Sequence, residues 1–137
     1  MIDVRRSPID VAAVVDRVRR DDAGAIVVFL GSVRADAGVR ALDYEVYEPM
    51  ARKALQVLAD RAKSKFGLLE VAIVHRVGHI PIGEDSVAVV CAAAHRAAAF
   101  AGCEWAMDEV KRIVPIWKTE SSAKPARRSG PRRRTRP

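Results

Sequence analysis

In the stretch His95 to Lys118, HRAAAFAGCEWAMDEVKRIVPIWK, the apolar residues Phe100, Cys103, Met107, Val110 and Val114 recur at alternating steps of three and four. That period places them on one stripe of an α-helix, and such a stripe is stable only against a hydrophobic core. The chain must fold around this element. Lys111 lies one helical turn beyond Met107, on the edge of the stripe, where an ammonium group is half sheltered. Pro115 cuts the helix, and a short run carrying Trp117 and Lys118 follows. His95 and Arg96 stand at the helix start, where free N–H groups and the helix dipole already favour an anion. Positive side chains there either meet a bound anion or point into water.

Hydrophobic residues make up 50% of the 137 residues but aromatic ones only 5%, so the core is built from Val, Ala, Leu and Ile. This length suits one domain with a tail. The formal charge of +7 comes from 24 Lys+Arg against 17 Asp+Glu. Seven of the basic residues and no acid fall in residues 121–137, so residues 1–120 hold 17 of each sign and are neutral. The excess belongs to the run SSAKPARRSGPRRRTRP, which has three prolines and no large apolar residue and is expected to be disordered. Such a run attracts nucleic acid or an acidic partner through counterion release, but it lacks aromatic residues for base stacking.

Cys91 and Cys103, with no CxxC spacing and no secretory signal, fit reduced thiols in the core of a cytosolic protein. Nowhere do about 18 consecutive apolar residues occur, so neither export nor membrane spanning is expected.

Ile2 to Val4 reads as a short strand. Ser7-Pro8 offers an N-cap and a proline at the first helical position, with Asp10 completing a variant capping box. That helix is expected to run to about Arg20 with Ile9, Ala12, Val15 and Val18 inward, ending in the turn Asp21 to Gly24. Ala25 to Val33 is continuously apolar before Gly31, as in a strand covered on both faces. Arg34 stands at its mouth in a loop containing Gly38, either facing a ligand or solvated. Ala41 to Tyr47 alternates, with Leu42, Tyr44 and Val46 on one face, and reads as a half-exposed antiparallel strand. Pro49 opens a second helix to about Phe66, with Met50, Ala54, Leu58 and Ala62 on one face and Gly67 as its left-handed end. Leu69 to Val77 is a third strand, residues 78–85 a turn-rich excursion, and Ser86 to Ala94 a fourth strand leading into His95. His75, His79 and His95 have no acidic residue at ligand spacing, so neither a metal nor a cofactor is expected.

No GxSxG, HExxH, GxGxxG or P-loop motif is present. What remains is a set of cations at the ends of regular elements: Arg34, His95, Arg96, Lys111 and Lys118. Brought together, they would line a pocket for an anionic, phosphorylated substrate. A sheltered lysine beside other cations has a lowered pKa, which suits proton transfer or nucleophilic attack.

The segments GAIVVFLGSVR, LDYEVYEPMA, VAIVHRVGHIPIGE, AHRAAAF and MDEVKRIVPIWK lie in this order over about residues 23 to 120. Together they resemble the family of the large, catalytic subunit of molybdopterin synthase. The resemblance implies an α+β fold over residues 1–120, an α/β hammerhead with an added antiparallel sheet. It also implies sulfur transfer in molybdenum cofactor biosynthesis. A small ubiquitin-like subunit would insert its C-terminal Gly-Gly thiocarboxylate, and sulfur would pass to cyclic pyranopterin monophosphate to form the molybdopterin dithiolene. The family's catalytic subunits form a dimer flanked by two small subunits. Matched residue by residue, Lys111 and Lys118 correspond to its essential lysines and Arg34 to its pocket arginine. His95 and Arg96 match a pair supplied by the neighbouring protomer to bind the substrate's anion, and Met107 and Glu120 match further pocket positions. Many members continue past the Trp-Lys pair with an ordered segment that helps close the site, whereas here the arginine-rich run stands in its place. The competing reading is a neutral α/β binding module whose basic tail recruits nucleic acid or an acidic partner.

Overall fold

The structure, a computed structural model, describes residues 1–36, 39–114 and 116–122. Its elements run β1 (Ile2–Arg5), α1 (Val11–Val18), β2 (Ala25–Ser32), β3 (Val39–Val46), α2 (Glu48–Phe66), β4 (Glu70–Arg76), β5 (Gly78–Pro81), β6 (Asp85–Ala93), α3 (Arg96–Ile113) and β7 (Ile116–Ser122). They form the expected α+β architecture: a four-stranded sheet ordered β1-β4-β6-β2 and an added antiparallel sheet ordered β5-β3-β7. In the larger sheet β1 pairs with β4 in parallel, and the other pairings are antiparallel.

The central strands β4 and β6 are apolar along their middles, residues 71–74 and 87–93, because both faces are covered. Val71, Ile73, Val87, Val89 and Cys91 point into the main core shared with α2 and α3. The alternating residues Ala72, Val74, Val90 and Ala92 pack with Val14 and Val18 of α1 on the opposite face. β2 departs from expectation. It is an edge strand, and Val28 and Leu30 are each 39% exposed, since the two-turn α1 is too short to cover this end of the sheet.

Local chemistry moves several boundaries. α1 is capped by Asp10, whose carboxylate accepts the Ala13 N–H at 3.1 Å, rather than by Ser7, whose hydroxyl accepts from Arg5 Nε. A carboxylate in the cap position outcompetes a hydroxyl three residues earlier. Its buried residues are Val14 and Val18, while Ala12 is exposed. α2 is turned by one residue from the expected face: Ala51, Leu55, Leu58, Ala59 and Ala62 are buried, and Met50 is 55% exposed. Gly67 ends α2 at φ 65°, ψ 37°, the left-handed conformation that glycine adopts at least cost.

Residues Gly78–Pro81, expected as an irregular excursion, form β5, paired with β3 from Tyr44↔Gly78 to Ala41↔Pro81. β3 is the centre of the second sheet, with Leu42 and Tyr44 inward as the alternation required. α3 buries Cys103, Met107 and Val110, but Phe100 is 62% exposed and Ala99 faces inward instead. Small residues let α3 approach closely, and a Cβ on Gly102 would stand 2.7 Å from Leu68 Cδ1. β7 extends to Ser122, two residues past the expected domain boundary, with Ser121 opposite Ala41. Pro115, Gly38 and the basic run from residue 123 lie outside the described residues.

Candidate functional site

The α3 stripe and the inner face of β2 do not close completely over one another. Between them lies a groove of about 360 Å³, walled by Val27, Val28 and Phe29 from the strand. From the helix it is lined by Phe100, Cys103 and Met107, and by Glu104, Asp108 and Lys111. Met107 is buried at its floor and Lys111, one turn further, is half-buried at its rim, as the helical spacing required. Lys111 and Arg112 occupy the last turn of α3, where the carbonyl end of the helix dipole stabilises a cation. The ionisable groups beside Lys111 in the groove are the carboxylates Glu104 and Asp108 rather than further cations.

The other residues singled out in the sequence lie after β2, on β7 and at the start of α3. Arg34 follows β2 with its side chain 75% exposed and its Nε 3.7 Å from Asp36 Oδ1, an ion pair too solvated to hold it firmly. Lys118 and Glu120 lie opposite Tyr44 and Leu42 in the second sheet, so they share the face that Tyr44 and Leu42 turn towards the core. Both are half-buried. His95 is the N-cap of α3 in extended conformation, without a side-chain cap bond, and both His95 and Arg96 are exposed. Fifteen residues of helix separate Arg96 from Lys111, roughly 22 Å at the helical rise. Arg96 and Lys111 thus stand at opposite ends of the helix.

Sequence reasoning missed Phe29, Glu104 and Asp108 as groove residues, because the continuously apolar β2 gives no sign of which face meets α3. Beneath the groove the two cysteines are buried free thiols, Cys103 Sγ donating to Val89 O at 3.5 Å. A hydrogen bond with Cys103, and then burial, hold the Cys91 thiol above its ordinary range. His75, expected at a strand end near a loop, is fully buried. Its Nδ1–H donates to Arg76 O at 2.8 Å, and burial lowers its pKa to about 4. It meets the Tyr44 ring edge-on at 5.7 Å, and burial likewise raises the Tyr44 phenol.

The sequence and the two-sheet fold are shared with a defined group of proteins. The family model described as "MoaE protein" matches residues 4–113. A molybdopterin synthase catalytic subunit from Thermoplasma volcanium is 43% identical over 122 residues, covering 87% of this chain and 89% of that protein. The one from Bacillus subtilis is 38% identical over 121 residues, covering 86% and 77%. The molybdopterin synthase structure from Staphylococcus aureus superposes with a TM-score of 0.87 at 33% identity, covering 93% of this chain and 95% of that one. A chain from the complex of subunits 1 and 2 of molybdopterin-converting factor from Helicobacter pylori gives a TM-score of 0.83, covering 98% and 94%; at 22% identity it supports the fold alone. The class is thus that of the catalytic subunits of molybdopterin synthase. The chain belongs to the MoaE family.

Proposed function

We propose that the chain is the catalytic subunit of a molybdopterin synthase. In this reading it transfers sulfur from the thiocarboxylate of a small ubiquitin-like carrier to cyclic pyranopterin monophosphate and forms the dithiolene. The observation that carries the reading is Lys111 in a groove walled by Val27, Val28, Phe29, Phe100 and Met107 beside the open edge strand β2. An extended Gly-Gly terminus has no side chains to obstruct such a groove, and an edge strand offers unpaired backbone groups to it. Lys111 neutralises the incoming thiocarboxylate and offsets the carboxylates Glu104 and Asp108 that share the groove.

The nucleophilic sulfur arrives with the carrier, so the protein's work is to hold the anions and move protons as the cyclic phosphate opens and oxygen leaves. Lys111 is the main proton-transfer group, with Lys118 assisting from β7. Met107 and Glu120 complete the pocket, and Arg34 binds the substrate's anion. His95 and Arg96 of a second copy supply the remaining anion contacts. The length of α3 supports this two-copy arrangement, because it places these residues at the opposite end of the helix from Lys111. The protein then acts as a homodimer with a carrier subunit at each site, in the cytoplasm, where the reduced cysteines are at home.

The test is to combine purified protein, thiocarboxylated carrier and cyclic pyranopterin monophosphate and to assay molybdopterin. Lys111→Ala should lower its formation by at least about 100-fold while carrier binding persists. Undiminished turnover would overturn the assignment.

A further inference from the structure

Arg76 ends β4 and is buried. Its Nη1 donates to Glu84 Oε1 at 2.8 Å, and its Nε has no hydrogen-bond partner among the described residues. A buried guanidinium deprived of its carboxylate is strongly destabilising, so this contact holds Glu84 in place. Glu84 belongs to the turn Ile82-Gly83-Glu84 between β5 and β6, in which Gly83 takes φ 86° and Glu84 N–H donates to Pro81 O at 3.2 Å.

This turn grips the segment carrying Arg34 on both sides. On the entry side Val33 N–H donates to Glu84 O at 2.9 Å, and Gly83 N–H donates to Val33 O at 2.8 Å. On the exit side Ile82 N–H donates to Arg40 O at 3.0 Å. A side-chain bond from Ser32 Oγ to Asp85 Oδ1 at 2.7 Å reinforces the entry. Arg34 directly follows Val33, so the turn fixes the backbone from which its otherwise solvated side chain projects.

We propose that Glu84, clamped by Arg76, is a positioning residue: through the Ile82 to Glu84 turn it sets where the Arg34 guanidinium meets the anion of the substrate. This rests on the reading of Arg34 as an anion-binding residue. Glu84 touches no reacting atom. Its contribution is to remove freedom from an exposed arginine before the substrate arrives.

The experiment compares Glu84→Ala, Glu84→Gln, Arg34→Ala and the Glu84→Ala/Arg34→Ala double variant. Each is measured for KM toward cyclic pyranopterin monophosphate, for kcat, and for hydrogen exchange at the Val33, Ile82 and Gly83 amides. Glu84→Ala should raise KM roughly tenfold, the size of one lost charge-assisted hydrogen bond, with kcat within about twofold. Exchange at the three amides should quicken by a similar factor, Glu84→Gln, which keeps an acceptor but not the charge, should recover part of both effects, and the double variant should be no worse than Arg34→Ala alone. Unchanged exchange, or a KM effect that adds to that of Arg34→Ala, would overturn the proposal. An Arg34→Ala variant with unaltered KM would overturn the reading beneath it and the positioning role with it, while the exchange rates would still report the grip of the turn. Should Glu84→Ala fail to fold, Gly83→Ala supplies the same readouts, since a Cβ there meets no atom within 4 Å and only strains the left-handed backbone.

Discussion

His75 gives the protein a pH dependence of its own. Burial lowers its pKa to about 4 from an ordinary value near 6.5, so it stays neutral in the folded chain while the unfolded chain binds a proton. Its contribution to stability is complete above pH 6.5 and is lost as pH falls towards 4, amounting to about 3 kcal/mol across that window. Denaturant unfolding at a series of pH values should show that loss, and His75→Gln should flatten the curve between pH 6.5 and 4 even if it lowers stability overall. Spacing alone placed Met107 on the buried stripe and Lys111 one turn beyond it at the edge, because a helical period fixes which residues share a face. Phe29, Glu104 and Asp108 were not legible, since a groove depends on which face of an edge strand meets the helix. The burial of His75 was equally hidden: the second sheet covers it, and that sheet was only partly readable.

The elements themselves were mostly readable from alternation, periodicity and breakers; their orientations were less so. α2 carries Ala51, Ala54, Ala59 and Ala62 on adjoining stripes, so two neighbouring faces look alike in sequence, and the packing of Leu55 and Leu58 decides between them. β5 escaped notice because Gly78 and Pro81 read as turn residues, yet an edge strand tolerates both. Two glycines carry element-scale predictions. Gly67→Ala forces a side chain into the left-handed region without any clash and should cost about 1 kcal/mol in denaturant unfolding. Gly102→Ala pushes a Cβ to 2.7 Å from Leu68 Cδ1 and 3.0 Å from its Cδ2, which should cost about 1–3 kcal/mol by overpacking. Combined with Leu68→Ala it should destabilise by less than the sum of the two single variants, because the clash disappears.

At the scale of the whole molecule, fold and site part company. The two sheets and three helices close around one chain, whereas the cations named from the sequence lie at the rim of the groove, on β7, after β2 and at the far end of α3. A second copy is proposed to bring His95 and Arg96 to Lys111, since the length of α3 separates them within one chain. An active site shared between two copies is the central claim, and mixed dimers test it most directly. Lys111→Ala and Arg96→Ala chains should each be nearly inactive alone. Mixed and allowed to exchange, they should recover up to about a quarter of wild-type molybdopterin formation, because each mixed dimer keeps one site with an intact Lys111 and an intact partner Arg96. A mixture as inactive as its components, despite demonstrated exchange of subunits, would contradict the shared site.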